Sequence, residues 1–237
     1  MHRLFSLVFA LAVAISFANV IVPKTCIPSG YYHKPEPSNE TSANFTGACA
    51  TWKSHSCCTT QTAQLIDARG DRDLYDFHWD DCDTISPACE YYLKAESCFY
   101  ECSPDLGPYS AGGGKIRHVP ICADYCDAWF EACRSIKLCA ANWLEDFVQE
   151  KNGTRYHCVN RTQAACRTFE QTYTNGKGLC EIMWGQSFRY ETSTSATCFR
   201  MDSATSASSS GCVVTATRAF TAVTAILQLF CLVIYCF

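Results

Sequence analysis

The sequence predicts a small, disulfide-stapled single domain of the α-rich α+β class, built from several short helices and short strands. Three observations predict it. Nineteen cysteines among 237 residues is the density of a secreted disulfide scaffold, far above that of a cytosolic chain. Cysteines recur at helical spacing, Cys98 with Cys102 and Cys122 with Cys126 and Cys133, so their sulfurs share helix faces. Neither an internal repeat nor a linker interrupts residues 26–200, so the staples belong to one body. The net charge of −4 implies no large basic surface and therefore no nucleic-acid partner.

The elements follow in order. A basic start, Met1-His2-Arg3, precedes an apolar run from Leu4 to Phe17 that is too short to span a bilayer. Small residues close it, so residues 1–18 read as a secretory signal peptide. The stretch from Cys26 to Thr59 is rich in Pro, Ser, Thr and Asn and reads as loop held by bridges. Asn39, Asn44, Asn152 and Asn160 each open an N-glycosylation triplet. A helix is expected over Thr60 to Tyr75, followed by the aromatic run Phe77 to Trp79. Ser86-Pro87 is an N-cap with a first-turn proline. It starts a helix through Tyr92 and Lys94 to the central cysteines, which Ser103-Pro104 ends. Pro120 is expected to start another helix, with Cys122, Cys126, Trp129 and Cys133 as its buried stripe. Shorter helices are expected over Asn142 to Glu150 and Lys177 to Gln186, and a strand over Phe188 to Glu191. The domain is placed at 19–202. Residues 203–210 form a Ser-rich stalk, and 211–237 a tail removed on maturation. Small residues, spacer and apolar tail together are the signal for a GPI anchor, with Ser208, Ser209 or Ser210 receiving the lipid. Losing Cys212, Cys231 and Cys236 with that tail leaves sixteen of the nineteen cysteines, enough for eight disulfides with no thiol left over. Spacing alone does not choose their pairing.

No catalytic pattern stands out. There is no Gly-x-Ser-x-Gly elbow and no His-Glu-x-x-His pair, and the histidines form no ligand pair of plausible spacing. Gly112-Gly113-Gly114-Lys115 has Ile116 where a phosphate loop needs Ser or Thr, so it reads as a turn. Aromatic residues are dense: Tyr75, Phe77, Trp79, Tyr100, Tyr109, Trp129, Trp143, Phe147 and Trp184. Trp79 and Trp129 read as core. The others suit a slot for a flat heterocycle, stacked on rings and fixed by a few polar groups.

The run Cys98-Phe99-Tyr100-Glu101-Cys102-Ser103-Pro104-Asp105-Leu106-Gly107-Pro108-Tyr109 closely resembles the signature of the folate receptor family, which includes riboflavin carriers and an egg-surface adhesion protein. The resemblance runs in register over roughly residues 26–200. It implies a folate-receptor-like fold and a GPI-anchored cell-surface receptor that binds folate or a related pterin without catalysis. By the same resemblance, Glu96 holds the family's aspartate position, whose carboxylate binds the amino-pyrimidine edge of the pterin. Tyr75, Trp143, Trp184 and Ser187 fall on pocket positions, and Lys115 on a basic one. Phe77, Tyr100 and Phe147 complete the implied lining. The implied partners are a small-molecule vitamin and the membrane, through the lipid. No cofactor is implied beyond bound folate, pterin or flavin as ligand.

The implied pairing is Cys26–Cys57, Cys49–Cys98, Cys58–Cys102, Cys82–Cys166, Cys89–Cys133, Cys122–Cys198, Cys126–Cys180 and Cys139–Cys158. The chain departs from the family pattern at Leu144 (a histidine), at Gln149 (a tryptophan) and in the shortened loop of Gly112 to Gly114. Two alternatives stand beside this reading: a riboflavin carrier, whose ring would also suit an aromatic slot, or an adhesion protein of the same fold with a protein partner.

Overall fold

The computed structural model describes residues 23–28, 30–69, 74–149, 156–158, 165–192 and 198–204. The signal peptide, Asn152, Asn160, Ser208 to Ser210 and the tail lie outside the described residues. Five helices are described: α1 (Thr60–Arg69), α2 (Pro87–Cys102), α3 (Ala123–Cys133), α4 (Phe169–Tyr173) and α5 (Gly176–Ile182). Eight short strands pair two by two. β1 (Ser110–Gly112) joins β2 (Lys115–Ile116), and β3 (Val119–Cys122) joins β8 (Phe188–Glu191). β4 (Lys137–Leu138) joins β7 (Arg167–Thr168), and β5 (Phe147–Gln149) joins β6 (Tyr156–Cys158). The α-rich α+β class read from sequence is the class observed.

Helix α2 is the axis of the domain. Ser86 caps it by accepting from Cys89 N, and Pro87 occupies its first turn. It ends where expected, because Pro104 holds Ser103 extended (φ −75°, ψ 125°). Cys98 and Cys102 share one face and bridge back to Cys49 and Cys58. Cys89 is nine residues earlier, about 180° around the helix at 3.6 residues per turn, and bridges forward to Cys133 of α3. Two opposite sides of one helix are thereby stapled to different halves of the chain. Cys126–Cys180 then joins α3 to α5, and Cys122–Cys198 joins β3 to the C-terminal segment. The remaining bridges are Cys26–Cys57, Cys82–Cys166 and Cys139–Cys158.

The stretch from Cys26 to Thr59 is mostly loop, as expected, with one 3-10 segment at Gly47–Trp52. It is fastened by backbone as well as by sulfur. Thr25 N donates to Pro104 O at 2.8 Å, and Gly107 N donates to Thr25 O at 3.1 Å. A side chain at Gly107 would put its β-carbon 2.4 Å from the Thr25 carbonyl oxygen, so this turn requires glycine. Glu40 reaches across to accept from Thr60 N and Oγ1 at the start of α1. Asn39 and Asn44 are exposed.

Three expectations are corrected. Pro120 does not start a helix: it lies in β3, parallel to β8, and α3 begins at Ala123. The ladder there uses Val119 N to Ser187 O and Cys122 N to Phe199 O, so the missing proline N–H leaves nothing unpaired. Residues 142–149 are not helical. Asp146 accepts from Ala141 N and Asn142 N, and the Asn142 side chain accepts from Leu144 N. These polar side chains close a turn in place of a first helical turn, and β5 follows. The helix expected to reach Gln186 stops at Ile182, because Gly185 takes a left-handed conformation (φ 58°) and donates back to Ile182 O. The helix expected over Thr60 to Tyr75 is described from Thr60 to Arg69, and Leu74 and Tyr75 are again helical; residues 70–73 lie outside the described residues.

Candidate functional site

Five aromatic rings from separate segments converge beside α5. Phe77 is held by a bridge to Tyr156, with His78 N donating to Tyr156 O at 3.2 Å and Tyr156 N donating to Asp76 O at 2.8 Å. Asp76 takes a left-handed φ of 54°, which turns Phe77 toward the interior. Trp143 is fixed by its backbone N–H on Met183 O at 2.7 Å, which ties its turn to the end of α5. Phe77 then lies 4.2 Å from Phe147, 5.6 Å from Trp143, 6.0 Å from Trp184 and 6.3 Å from Tyr156, centroid to centroid. Trp184 meets Trp143 edge to face at 5.5 Å. Trp79 packs behind Trp143, and both Trp79 and Trp129 are core, as read.

Burial divides the cluster into a floor and an edge. Phe77, Trp143 and Phe147 are buried, while Tyr156 and Trp184 are half-buried. A flat ligand inserted between two parallel rings needs their centroids about 7 Å apart, twice the carbon contact distance of about 3.5 Å. The floor rings are closer than that, so no ring lies between them. The half-buried rings are left to meet a ligand. The indole N–H of Trp184 is buried and has no hydrogen-bond acceptor among the described residues.

Tyr75 and Tyr100 belong to a second group. The Tyr75 hydroxyl donates to Glu101, and its ring meets Tyr32 edge-on at 5.2 Å. His33 Nε2 lies 2.9 Å from Tyr100 O and 3.5 Å from Glu101 Oε2, and its ring meets Tyr100 at 5.1 Å. Burial pulls the His33 pKa below its ordinary value, opposed by the Tyr100 carbonyl, so the ring is neutral and donates from Nε2. The Tyr100 hydroxyl donates to Gly114 O, which ties the β1–β2 hairpin to α2.

Glu96 is 6% exposed on α2, one turn after Tyr92, whose ring packs on Tyr125 at 5.4 Å. Burial pushes the Tyr125 hydroxyl pKa well above its usual value, with neighbouring negative groups that include Glu96 adding to it. Lys115 is exposed on β2, and Ser187 is partly buried, its carbonyl accepting from Val119 N.

Of the residues expected at the site, Phe77, Trp143, Phe147 and Trp184 come together, and Tyr75 with Tyr100 forms the adjoining group. Glu96 lies on α2 near Tyr125, Lys115 on β2, and Ser187 beside Val119. Sequence reasoning missed Tyr32, His33, Glu101 and Tyr156. Glu101 sits inside the twelve-residue run and was legible as a carboxylate between two half-cystines. His33 and Tyr32 lie in loop, where no periodicity points inward. Among the described residues, no group of three metal-ligating side chains is assembled.

A model of the Folate receptor family matches residues 25–201. Folate receptor gamma of Homo sapiens is 36% identical over 164 residues, 67% of this chain and 64% of that receptor. Riboflavin-binding protein of Gallus gallus is 32% identical over 198 residues, 80% of this chain and 78% of that protein. Folate receptor alpha of Bos taurus is 32% identical over 165 residues, 67% of this chain and 65% of that receptor. The chain thus spans just under two thirds of the length of these folate receptors.

Proposed function

Because the chain belongs to the folate receptor family, we propose that it is a vitamin-binding receptor or carrier whose ligand is a flat heterocycle, folate or a related pterin. The observation that carries this reading is the convergence of Phe77, Trp143, Phe147, Tyr156 and Trp184 with two of the five rings half-open. In this reading the ligand ring stacks on Trp184 and Tyr156, with Tyr75 and Tyr100 along a neighbouring wall and Glu96 pairing with its amino-pyrimidine edge. The buried floor excludes water, and Ser187 and Lys115 contribute polar contacts. The protein holds its ligand and does not transform it.

Titration of the purified ectodomain with folate, read by quenching of indole fluorescence, tests this. Replacing Trp184 with alanine removes one stacking face, worth about 0.5–1.5 kcal/mol, so affinity is expected to fall about three- to tenfold. An unchanged Kd in Trp184→Ala places the ligand elsewhere.

Riboflavin is the second reading. It is favoured by the riboflavin-binding protein of Gallus gallus, which aligns over 80% of this chain, against 67% to 74% for the folate receptors. A parallel flavin titration decides between the two rings. Failure of both points to the adhesive alternative, in which the outer surface meets a protein partner.

We place the protein on the outer face of the plasma membrane, held by a GPI lipid at Ser208, Ser209 or Ser210 after loss of residues 211–237 and of the signal peptide. No described helix is long and apolar enough to cross a membrane. Phosphatidylinositol-specific phospholipase C is expected to release the protein from intact cells. Retention on the cells after that treatment, together with resistance to alkaline carbonate, means that the tail stays as a membrane span.

A further inference from the structure

Cys82–Cys166 stands apart from the other bridges. Six of the remaining seven keep both half-cystines buried, and Cys139–Cys158 keeps one, Cys158. Cys82 and Cys166 are both partly exposed. Neither lies in a helix or a strand: Cys82 sits in the stretch 79–85, and Cys166 comes just before β7. An open cleft of about 750 Å³ reaches Cys82 and is lined also by Trp79, Asp80, Asp81, Asp83 and Glu90. Exchange of a disulfide needs a thiolate to reach one of its sulfurs. This bridge offers that approach, and the buried ones do not.

The same bridge fastens the wall behind the ring cluster. Trp79 begins the stretch, 6% exposed, with its ring 6.1 Å from Trp143. Ile85 ends it, packed against the core. Between them, Asp83 accepts from Lys137 N of β4 at 3.4 Å, which is long for such a bond. Cys82–Cys166 is the covalent tie from this stretch to the start of β7, the partner of β4. Its ends are 84 residues apart in sequence, so no short connection holds them together once the bond is cut. The rest of the domain keeps its own ties. Cys49–Cys98 and Cys58–Cys102 hold α2 to the N-terminal loop, and Cys89–Cys133 holds it to α3. Loss of this one bond is therefore a local opening.

We propose that Cys82–Cys166 is a redox modification site, opened on the folded protein by an external dithiol, and that its opening releases the stretch 79–85 from the β4–β7 pair and exposes Trp79. This is independent of which ring the aromatic cluster holds. One thiolate of the dithiol attacks the Cys82 sulfur from the cleft and forms a mixed disulfide, while Cys166 leaves as a thiolate and takes up a proton. The second thiol of the reagent, once deprotonated, attacks the reagent's own sulfur in the mixed disulfide and displaces Cys82. The protein ends as a dithiol, two electrons and two protons richer, and the reagent as a cyclic disulfide. Trp143 then loses the ring packed behind it, and the floor of the cluster loosens.

The test uses the full chain, purified in mild detergent from expressing cells and treated with limiting dithiothreitol without denaturant. Samples are quenched with iodoacetamide at intervals and peptide-mapped. Cys82 and Cys166 are expected to be alkylated at least about tenfold faster than any other bridged cysteine, as access decides the rate. Over the same interval, quenching of indole fluorescence by acrylamide should rise while far-ultraviolet circular dichroism stays constant. In Trp79→Phe the bridge should open at the same rate with no rise in quenching, which assigns the released indole to Trp79. Three results overturn the proposal: another bridge opens first, all the bridges open together with loss of the dichroism signal, or Cys82–Cys166 opens first with quenching unchanged in the wild type.

Discussion

Glu101→Ala is expected to lower the unfolding free energy by about 1–3 kcal/mol, read as a shift in the urea midpoint with all disulfides intact. Glu101 is fully buried, accepts from the Tyr75 hydroxyl and lies 3.5 Å from His33 Nε2. Truncation takes away the acceptor of the Tyr75 hydroxyl, while His33 Nε2 keeps the Tyr100 carbonyl, and a buried polar group left unpaired costs about 1–3 kcal/mol. Glu101→Gln keeps an oxygen to accept from Tyr75 and is expected to lose less than half as much. Equal midpoints for all three proteins would show that the network contributes nothing to stability. The same network makes stability depend on pH. Burial holds the His33 pKa below its ordinary value of 6.5, so the unfolded chain takes up a proton before the folded one does. Its contribution to stability is complete above about pH 6.5 and is lost as pH falls from there toward the folded value. The urea midpoint should therefore drop between about pH 7.5 and about pH 5, and less so in His33→Gln. An identical slope in His33→Gln assigns the effect to other groups.

Glu96→Gln is expected to weaken folate binding at least tenfold. Glu96 is 6% exposed, in the interior of α2. A charge-assisted pair between a carboxylate and the amino-pyrimidine edge contributes about 1.5–3 kcal/mol, and about 1.4 kcal/mol is one decade. The glutamine keeps the size but turns one acceptor into a donor that faces the ring's own amino group. Glu96→Asp should cost less, because the charge survives on a shorter arm. Equal folate affinities across the wild type and both variants remove Glu96 from the site and weaken the pterin reading.

Much of the scaffold was legible in the chain because it is written in local signals. Ser86-Pro87 starts α2 and Ser103-Pro104 ends it, since a cap and a proline act on the backbone wherever they occur. The errors lie where tertiary contacts outvote such signals. Pro120 looks like a helix start, yet Val119 and Ile121 are fully buried and pair with Phe188 and Tyr190 of β8, distant in sequence. Asn142 to Asp146 has helical composition, but its carboxylate and amide side chains satisfy the backbone locally and free Phe147 for a strand. The aromatic site was half legible. Phe77, Trp143 and Trp184 were found through their chemistry, while Tyr156 and His33 acquire neighbours only when distant segments meet.

The bridges overlap like links, and this bears on how the protein meets proteases outside the cell. The span Cys26–Cys57 overlaps Cys49–Cys98, which overlaps Cys82–Cys166, which overlaps Cys122–Cys198. Every peptide bond between Cys26 and Cys198 therefore lies inside at least one closed loop. A single cut anywhere in that interval leaves one covalent molecule, with both new ends held near where they were. Loss of a piece takes two cuts around a stretch that either lacks half-cystines or holds only half-cystines bonded to each other, as the loop Cys139–Cys158 does. The stretch 59–81, between Cys58 and Cys82, is one such stretch, and it contains α1, Tyr75 and Phe77. A single clip can open a loop while the ring cluster stays assembled; a double cut in 59–81, or one on either side of the Cys139–Cys158 loop that carries Trp143, Phe147 and Tyr156, would take out part of it.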